Sequence, residues 1–120
     1  MRISAIRGAI QVESDGAEAI RLATVSLFER VLSDNKLCDE QIVSLFFTIT
    51  PDLMRELPPL AIGEAGWGHI PMLCAAEAVS DFYIPRMIRL LAHVCRDDTG
   101  QPVQHVYLNN AIASRPAKQS

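Results

Sequence analysis

The amino-acid sequence predicts an α/β chain of the α+β kind, a β-sheet with flanking helices. Two observations carry that expectation. Strand-like segments open the chain and fill most of its second half, and one long stretch of helical periodicity lies between the first two of them. At 120 residues the chain suits a single domain, expected over 1–116 with a loose tail at 117–120.

Residues 2–12 alternate as a strand does, with Ile3, Ala5, Arg7 and Ala9 on one face. Gly8 marks a bend or a close backbone approach. Ser14-Asp15-Gly16 then starts a helix, with Ser14 or Asp15 as its cap. Ile20, Ala23, Leu27 and Val31 recur at helical spacing, with Phe28 and Leu32 beside them. Glu18, Arg21 and Glu29 take the opposite side. Leu22 and Val25 join them there, more apolar surface than a monomer needs, which points to a subunit contact. Asp34-Asn35 closes the helix.

Residues 42–50 are apolar on both faces, as a central strand is, and Thr50-Pro51-Asp52-Leu53 breaks the run. Pro58-Pro59 opens a short helical turn to about Ala65, ended by Gly66. A strand is expected within 67–79, running through Cys74. Residues 86–95 form the next, with Arg86, Ile88, Leu90, Ala92 and Val94 on one face and Met87, Arg89, Leu91, His93 and Cys95 on the other. Asp97-Asp98-Thr99-Gly100 is a turn, and His105-Val106-Tyr107-Leu108 a short edge element.

The hydrophobic fraction is 49%, enough for a core, and the net charge is −3. That charge argues against nucleic acid as the partner, because phosphate binding needs a basic surface. The basic residues are nine Arg and two Lys; Arg favours bidentate carboxylate recognition, although a GC-rich genome produces the same bias. Cys38, Cys74 and Cys95 are odd in number and widely spaced. That suits reduced thiols in a cytoplasmic protein better than a disulfide framework. Arg7 interrupts any apolar run before it reaches the length of a signal-peptide core. No run approaches the roughly 20 apolar residues of a membrane span.

Phosphate loops, dinucleotide fingerprints, HExxH and paired CxxC are absent, and His69, His93 and His105 lack metal-ligand spacing. What remains is a set of polar residues on apolar strands: Arg7, Glu77 and Arg89, with Cys74 and Tyr107 near them in pattern. Each has an ordinary reading. Arg7 can snorkel from a strand end, Glu77 can sit at the surface, Cys74 can be a small core residue and Tyr107 a packed aromatic. Taken together they suggest an anion pocket, suited to a small carboxylated ligand.

In order and spacing these segments resemble the monofunctional, AroH-type chorismate mutases. The resemblance runs over residues 2–116. It is carried by Ile6-Arg7-Gly8-Ala9, Val12-Glu13 and Thr50-Pro51-Asp52-Leu53. Pro58, Ala61, Glu64, Gly66-Trp67 and Pro71 continue it, followed by Cys74 with Glu77, Ile88-Arg89, His105-Val106-Tyr107-Leu108 and Arg115-Pro116.

That resemblance implies a mixed sheet with flanking helices, three subunits packed as a pseudo-barrel, and an active site at each interface. The implied reaction is the Claisen rearrangement of chorismate to prephenate, in the shikimate pathway to the aromatic amino acids. It is unimolecular and needs no cofactor and no metal. The implied partners are chorismate and two further copies of the chain, with no nucleic acid and no membrane. By position, Arg89 would face the breaking ether bond, and Arg7 would bind a substrate carboxylate with help from Tyr107. Glu77, helped by Cys74, would accept from the ring hydroxyl. The backbone of Leu73, Ala75 and Ala76 would line the same wall. Leu57, Leu60 and Gly63 stand where many members carry an aromatic and two basic residues, and Ser114 stands where a larger apolar residue is common. A related enolpyruvyl substrate and a non-catalytic binding module are the competing readings.

Overall fold

The computed structural model describes residues 1–97 and 100–111. The elements are β1 (Arg2–Gln11), α1 (Ala17–Asp34), β2 (Ile42–Ile49), α2 (Pro58–Ile62), β3 (Met72–Ala76), β4 (Met87–Arg96) and β5 (Val106–Leu108). One mixed sheet holds all five strands in the order β3-β2-β4-β1-β5. β4 pairs antiparallel with β1 and β2, while β3 and β5 add to the edges in parallel. Part of the turn expected at 97–100, together with Ser114, Arg115-Pro116 and the tail, lies outside the described residues.

Alternation and helical periodicity meet on one side of this sheet. Ile6 and Ile10 of β1, Leu45, Phe47 and Ile49 of β2, and Ile88, Leu90, Ala92 and Val94 of β4 are buried there. Ile20, Leu27, Phe28 and Val31 of α1 complete the core. Gly8 serves close approach rather than a bend: a Cβ at that position would lie 3.1 Å from Leu27 Cδ1. The Trp67 ring meets Phe28 edge to face at 4.8 Å between centroids. Among the described residues the other side of the sheet carries no helix, and Ile3 and Leu73 are more than three-fifths exposed on it.

Several boundaries differ from the sequence expectation. The N-cap of α1 is Gly16, with no side-chain cap bond. Neither Ser14 nor Asp15 caps the helix. The Asp15 carboxylate instead accepts the backbone N–H groups of Met54 (2.8 Å) and Arg55 (3.1 Å), so a tertiary partner has won over the local one. Arg86 precedes β4 rather than lying in it. Its φ of 56° turns the chain, its single backbone N–H is shared between the two Asp52 carboxylate oxygens at 3.0 and 3.2 Å, and its Nε donates to Val12 O at 2.8 Å. The helical turn after Pro58 ends at Ile62 and widens into a π-type turn over Gly63–Trp67, where Gly66 adopts a φ of 105°. The central position of β2, the end of α1 at Asn35 and the edge position of β5 agree with the sequence reading.

Candidate active site

The strand registers place the polar residues in two adjacent rows on the helix-free face. Thr48, Arg89, Ala9 and Tyr107 are successive partners across β2, β4, β1 and β5. Phe46, Leu91 and Arg7 form the neighbouring row. A strand's period of two is the reason: residues two apart on each strand share a face, so a single register brings both rows together.

These rows floor a cavity of about 570 Å³, which Arg7, Glu77, Arg89 and Tyr107 all line. Its wall is the connection between β3 and β4, contributing Ala78, Ser80, Phe82, Tyr83 and Ile84. Glu77 opens that connection. Its N–H donates to Ile49 O at 2.7 Å, and its carboxylate accepts from Arg89 Nε at 2.8 Å. Both side chains of this ion pair are about a third exposed or less (Arg89 32%, Glu77 27%), so solvent screens it in part. The Tyr107 hydroxyl is buried and has no hydrogen-bond partner among the described residues. An unsatisfied buried hydroxyl is costly, so this one, on a residue that lines the same cavity as Arg7 and Arg89, is suited to an acceptor brought by a ligand.

The far end of the wall is tied down by Asp52. Burial pushes its carboxyl up, but hydrogen bonds from the Thr50 hydroxyl, the Arg86 N–H and the Tyr83 hydroxyl outweigh it and hold the group below the usual carboxylate range. The buried Thr50 also accepts the Met87 N–H at 2.9 Å. Burial, and then the bond to Asp52, push the Tyr83 hydroxyl up. These contacts fix where β4 begins, two residues before Arg89.

The family model described as chorismate mutase type I matches residues 3–118. The chain belongs to that family. It is 38% identical to the chorismate mutase AroH of Thermus thermophilus, over 98% of each chain. It is 33% identical to that of Bacillus subtilis, over 97% of this chain and 92% of the other. A solved chorismate mutase from Clostridium thermocellum superposes with a TM-score of 0.84 at 33% identity, covering 90% of this chain and 96% of that one.

Within this type I chorismate mutase chain, the residues marked in the sequence divide into two groups. Arg7, Glu77, Arg89 and Tyr107 share the cavity. Cys74 does not line it. Its register partner is the fully buried Phe47, its side chain packs against the core, and burial pushes its thiol up. Leu73, Ala75 and Ala76 are exposed on the edge strand β3, away from the lining. Leu73 and Ala75 pair with Phe46 and Thr48, which extends both rows toward the sheet edge. Leu57, the N-cap of α2, and Leu60 within it are about half exposed.

Sequence reasoning missed Phe46 and Thr48, and also Phe82, Tyr83 and Ile84. Alternation in β2 could have found the first two, since both face away from Leu45 and Phe47. The other three lie in a connection with no periodicity to read.

Proposed function

We propose that the chain catalyses the rearrangement of chorismate to prephenate in aromatic amino acid biosynthesis, at a site built on Arg7, Glu77, Arg89 and Tyr107. One observation carries this reading. Two guanidinium groups, a carboxylate and a buried hydroxyl with no partner among the described residues share one cavity, in a chain whose family performs that reaction.

The reaction is intramolecular. A C–O bond breaks, a C–C bond forms and no proton is transferred, so the protein has to select the reactive conformer and stabilise negative charge on the departing ether oxygen. Arg89 is suited to the second task because its planar fork can donate to the ether oxygen and to a carboxylate at once. Arg7 and Tyr107 hold the enolpyruvyl carboxylate. Glu77 accepts from the ring hydroxyl and keeps the Arg89 fork in plane while it waits for substrate. The Glu77–Arg89 pair is partly exposed and worth only about 0–1 kcal/mol, so a dianion can share its donors at little cost.

The site is completed by assembly. Leu73, Cys74, Ala75 and Ala76 lie outside the cavity of their own protomer, and a helix-free sheet face exposes apolar side chains. In a homotrimer the β3 edge of one copy would close the cavity of the next, and the enzyme would work in the cytoplasm with no cofactor. The decisive measurement is the loss of chorismate absorbance on adding pure protein. Turnover with prephenate as product supports the reading. Binding of chorismate without turnover would make the chain a diacid-binding module, and indifference to chorismate would point to another enolpyruvyl substrate.

A further inference from the structure

β5 is only three residues long, yet it carries Tyr107 into the cavity. Three parallel rungs, Gly8 with Val106, Ala9 with Tyr107 and Ile10 with Leu108, are little to hold an edge strand. One further main-chain bond, from Gln11 N–H to Asn109 O at 3.3 Å, and several side chains reinforce it. At one end Asn35, the C-cap of α1, exchanges two hydrogen bonds with the Gln104 backbone, at 2.7 and 3.0 Å. At the other, Asn110 donates to the Gln11 side chain at 3.1 Å. Between Gln104 and the strand, His105 Nδ1 accepts the backbone N–H of Arg7 at 2.9 Å. The imidazole thus adds a fourth rung to the ladder, in the place a main-chain carbonyl would take.

We propose that His105 is a positioning residue: its Nδ1, by holding the Arg7 N–H, sets Arg7 and Tyr107 side by side as the carboxylate-binding pair. This rests on the functional reading above, in which those two residues hold the carboxylate. The arrangement requires the neutral imidazole with its proton on Nε2. A proton on Nδ1 would point a donor at the Arg7 donor, and the rung would open. Of the charged groups around the ring, the Arg7 guanidinium of β1 acts on it directly, and Asn35 from α1 is neutral. Arg96 of β4 reaches the same connecting segment at Gln101 O, 2.7 Å away. Burial, and then the Arg7 charge, push the imidazole below its usual range, which keeps the rung closed at neutral pH. In the unfolded chain the imidazole titrates at its ordinary value. The stability from this bond is therefore complete above that value and lost as pH falls from it toward the depressed folded one.

The test compares wild type with His105→Asn and His105→Ala across acid to neutral pH. Asn places an oxygen near the former Nδ1 and does not titrate. For wild type, the KM for chorismate should climb on the acid side with kcat less affected. His105→Asn should keep the neutral KM within about twofold and lack that acid limb. His105→Ala should raise KM roughly 3- to 10-fold at every pH, the effect of one lost hydrogen bond. Two readouts need no turnover: the ¹⁵N shifts of the ring, expected to report the Nε2–H tautomer, and amide exchange at Arg7, expected to be slow in wild type and Asn and fast in Ala. An acid limb shared equally by wild type and His105→Asn would overturn the proposal. So would unchanged Arg7 exchange in His105→Ala. A chain that fails to turn over chorismate but shows the expected exchange pattern would count against the functional reading alone.

Discussion

Arg89 meets Glu77 through Nε, which leaves the outer edge of its guanidinium for a ligand. A Lys at this position could contact one acceptor as a point charge but could not span an ether oxygen and a carboxylate. We expect Arg89→Lys to lower kcat by about 10²–10³-fold, the usual cost of losing a donor to developing charge, with the protein still folded. Glu77→Gln keeps the shape and removes the charge, so its loss should be smaller. Steady-state kinetics beside circular dichroism decide it, and a near-normal kcat in the Lys variant would remove Arg89 from the role. Charged and hydroxylated residues were legible at this scale because each interrupts an apolar alternation: Arg7 among Ile3, Ala5 and Ala9, and Arg89 between Met87 and Leu91. Phe46 and Thr48 were not, since an aromatic and a Thr on a strand look like ordinary sheet packing. The Tyr83 bond to Asp52 joins residues far apart in the chain and leaves no local signature.

At the scale of elements, α1 and the individual strands follow from periodicity, but the partners of each strand do not. Nothing local says that β3 joins β2 in parallel with Cys74 opposite Phe47, and that register is what turns the thiol toward the core. The same holds at the cap of α1, where Asp15 binds the approach to α2 and leaves Gly16 to start the helix. α2 itself carries a prediction. Leu60 and Gly63 are exposed and uncharged, and cations at a cleft mouth raise encounter rate and binding, so charge added here tests whether a dianion enters past α2. Gly63 has φ −61° and ψ −45°, an ordinary helical conformation, and the nearest atom to an added Cβ is 4.0 Å away. A side chain therefore fits there without rearrangement. It would also firm the turn by about 1 kcal/mol, the usual cost of Gly in a helix. The double variant Leu60→Lys with Gly63→Arg should show a several-fold lower KM, a similar kcat and a steeper fall of kcat/KM with salt. An unmoved KM with unmoved salt dependence would show that this surface does not face the incoming substrate.

At the scale of the whole molecule, α1 covers one sheet face while the other exposes Ile3, Phe46 and Leu73. A monomer would leave that apolar face in water, against the normal economy of burial. The two halves of the expected site divide along the same line. Arg7, Glu77, Arg89 and Tyr107 belong to the cavity, and residues 73–76 lie on an edge strand outside it. If β3 serves the cavity of another copy, two inactive variants should repair each other. Arg89→Ala removes the cavity half and keeps β3 intact. Leu73→Glu keeps the cavity half and sets a carboxylate against the dianionic ligand at the β3 edge, where the wild-type side chain is 69% exposed. Each alone should form trimers with little activity. Unfolded together and refolded at equal ratio, they should place an intact cavity beside an intact β3 at about one quarter of the interfaces, since each half is drawn at random from two kinds of copy. Light scattering measures the assembly, and turnover by the refolded mixture measures the repair, with about a quarter of wild-type activity as the expected ceiling. Activity no higher than the sum of the separate variants, in mixtures shown by mass to be trimeric, would mean that cavity and β3 serve the site of a single chain. A protein that stays monomeric and fully active at micromolar concentration would refute the shared site at once, and the open sheet face would then need some other cover.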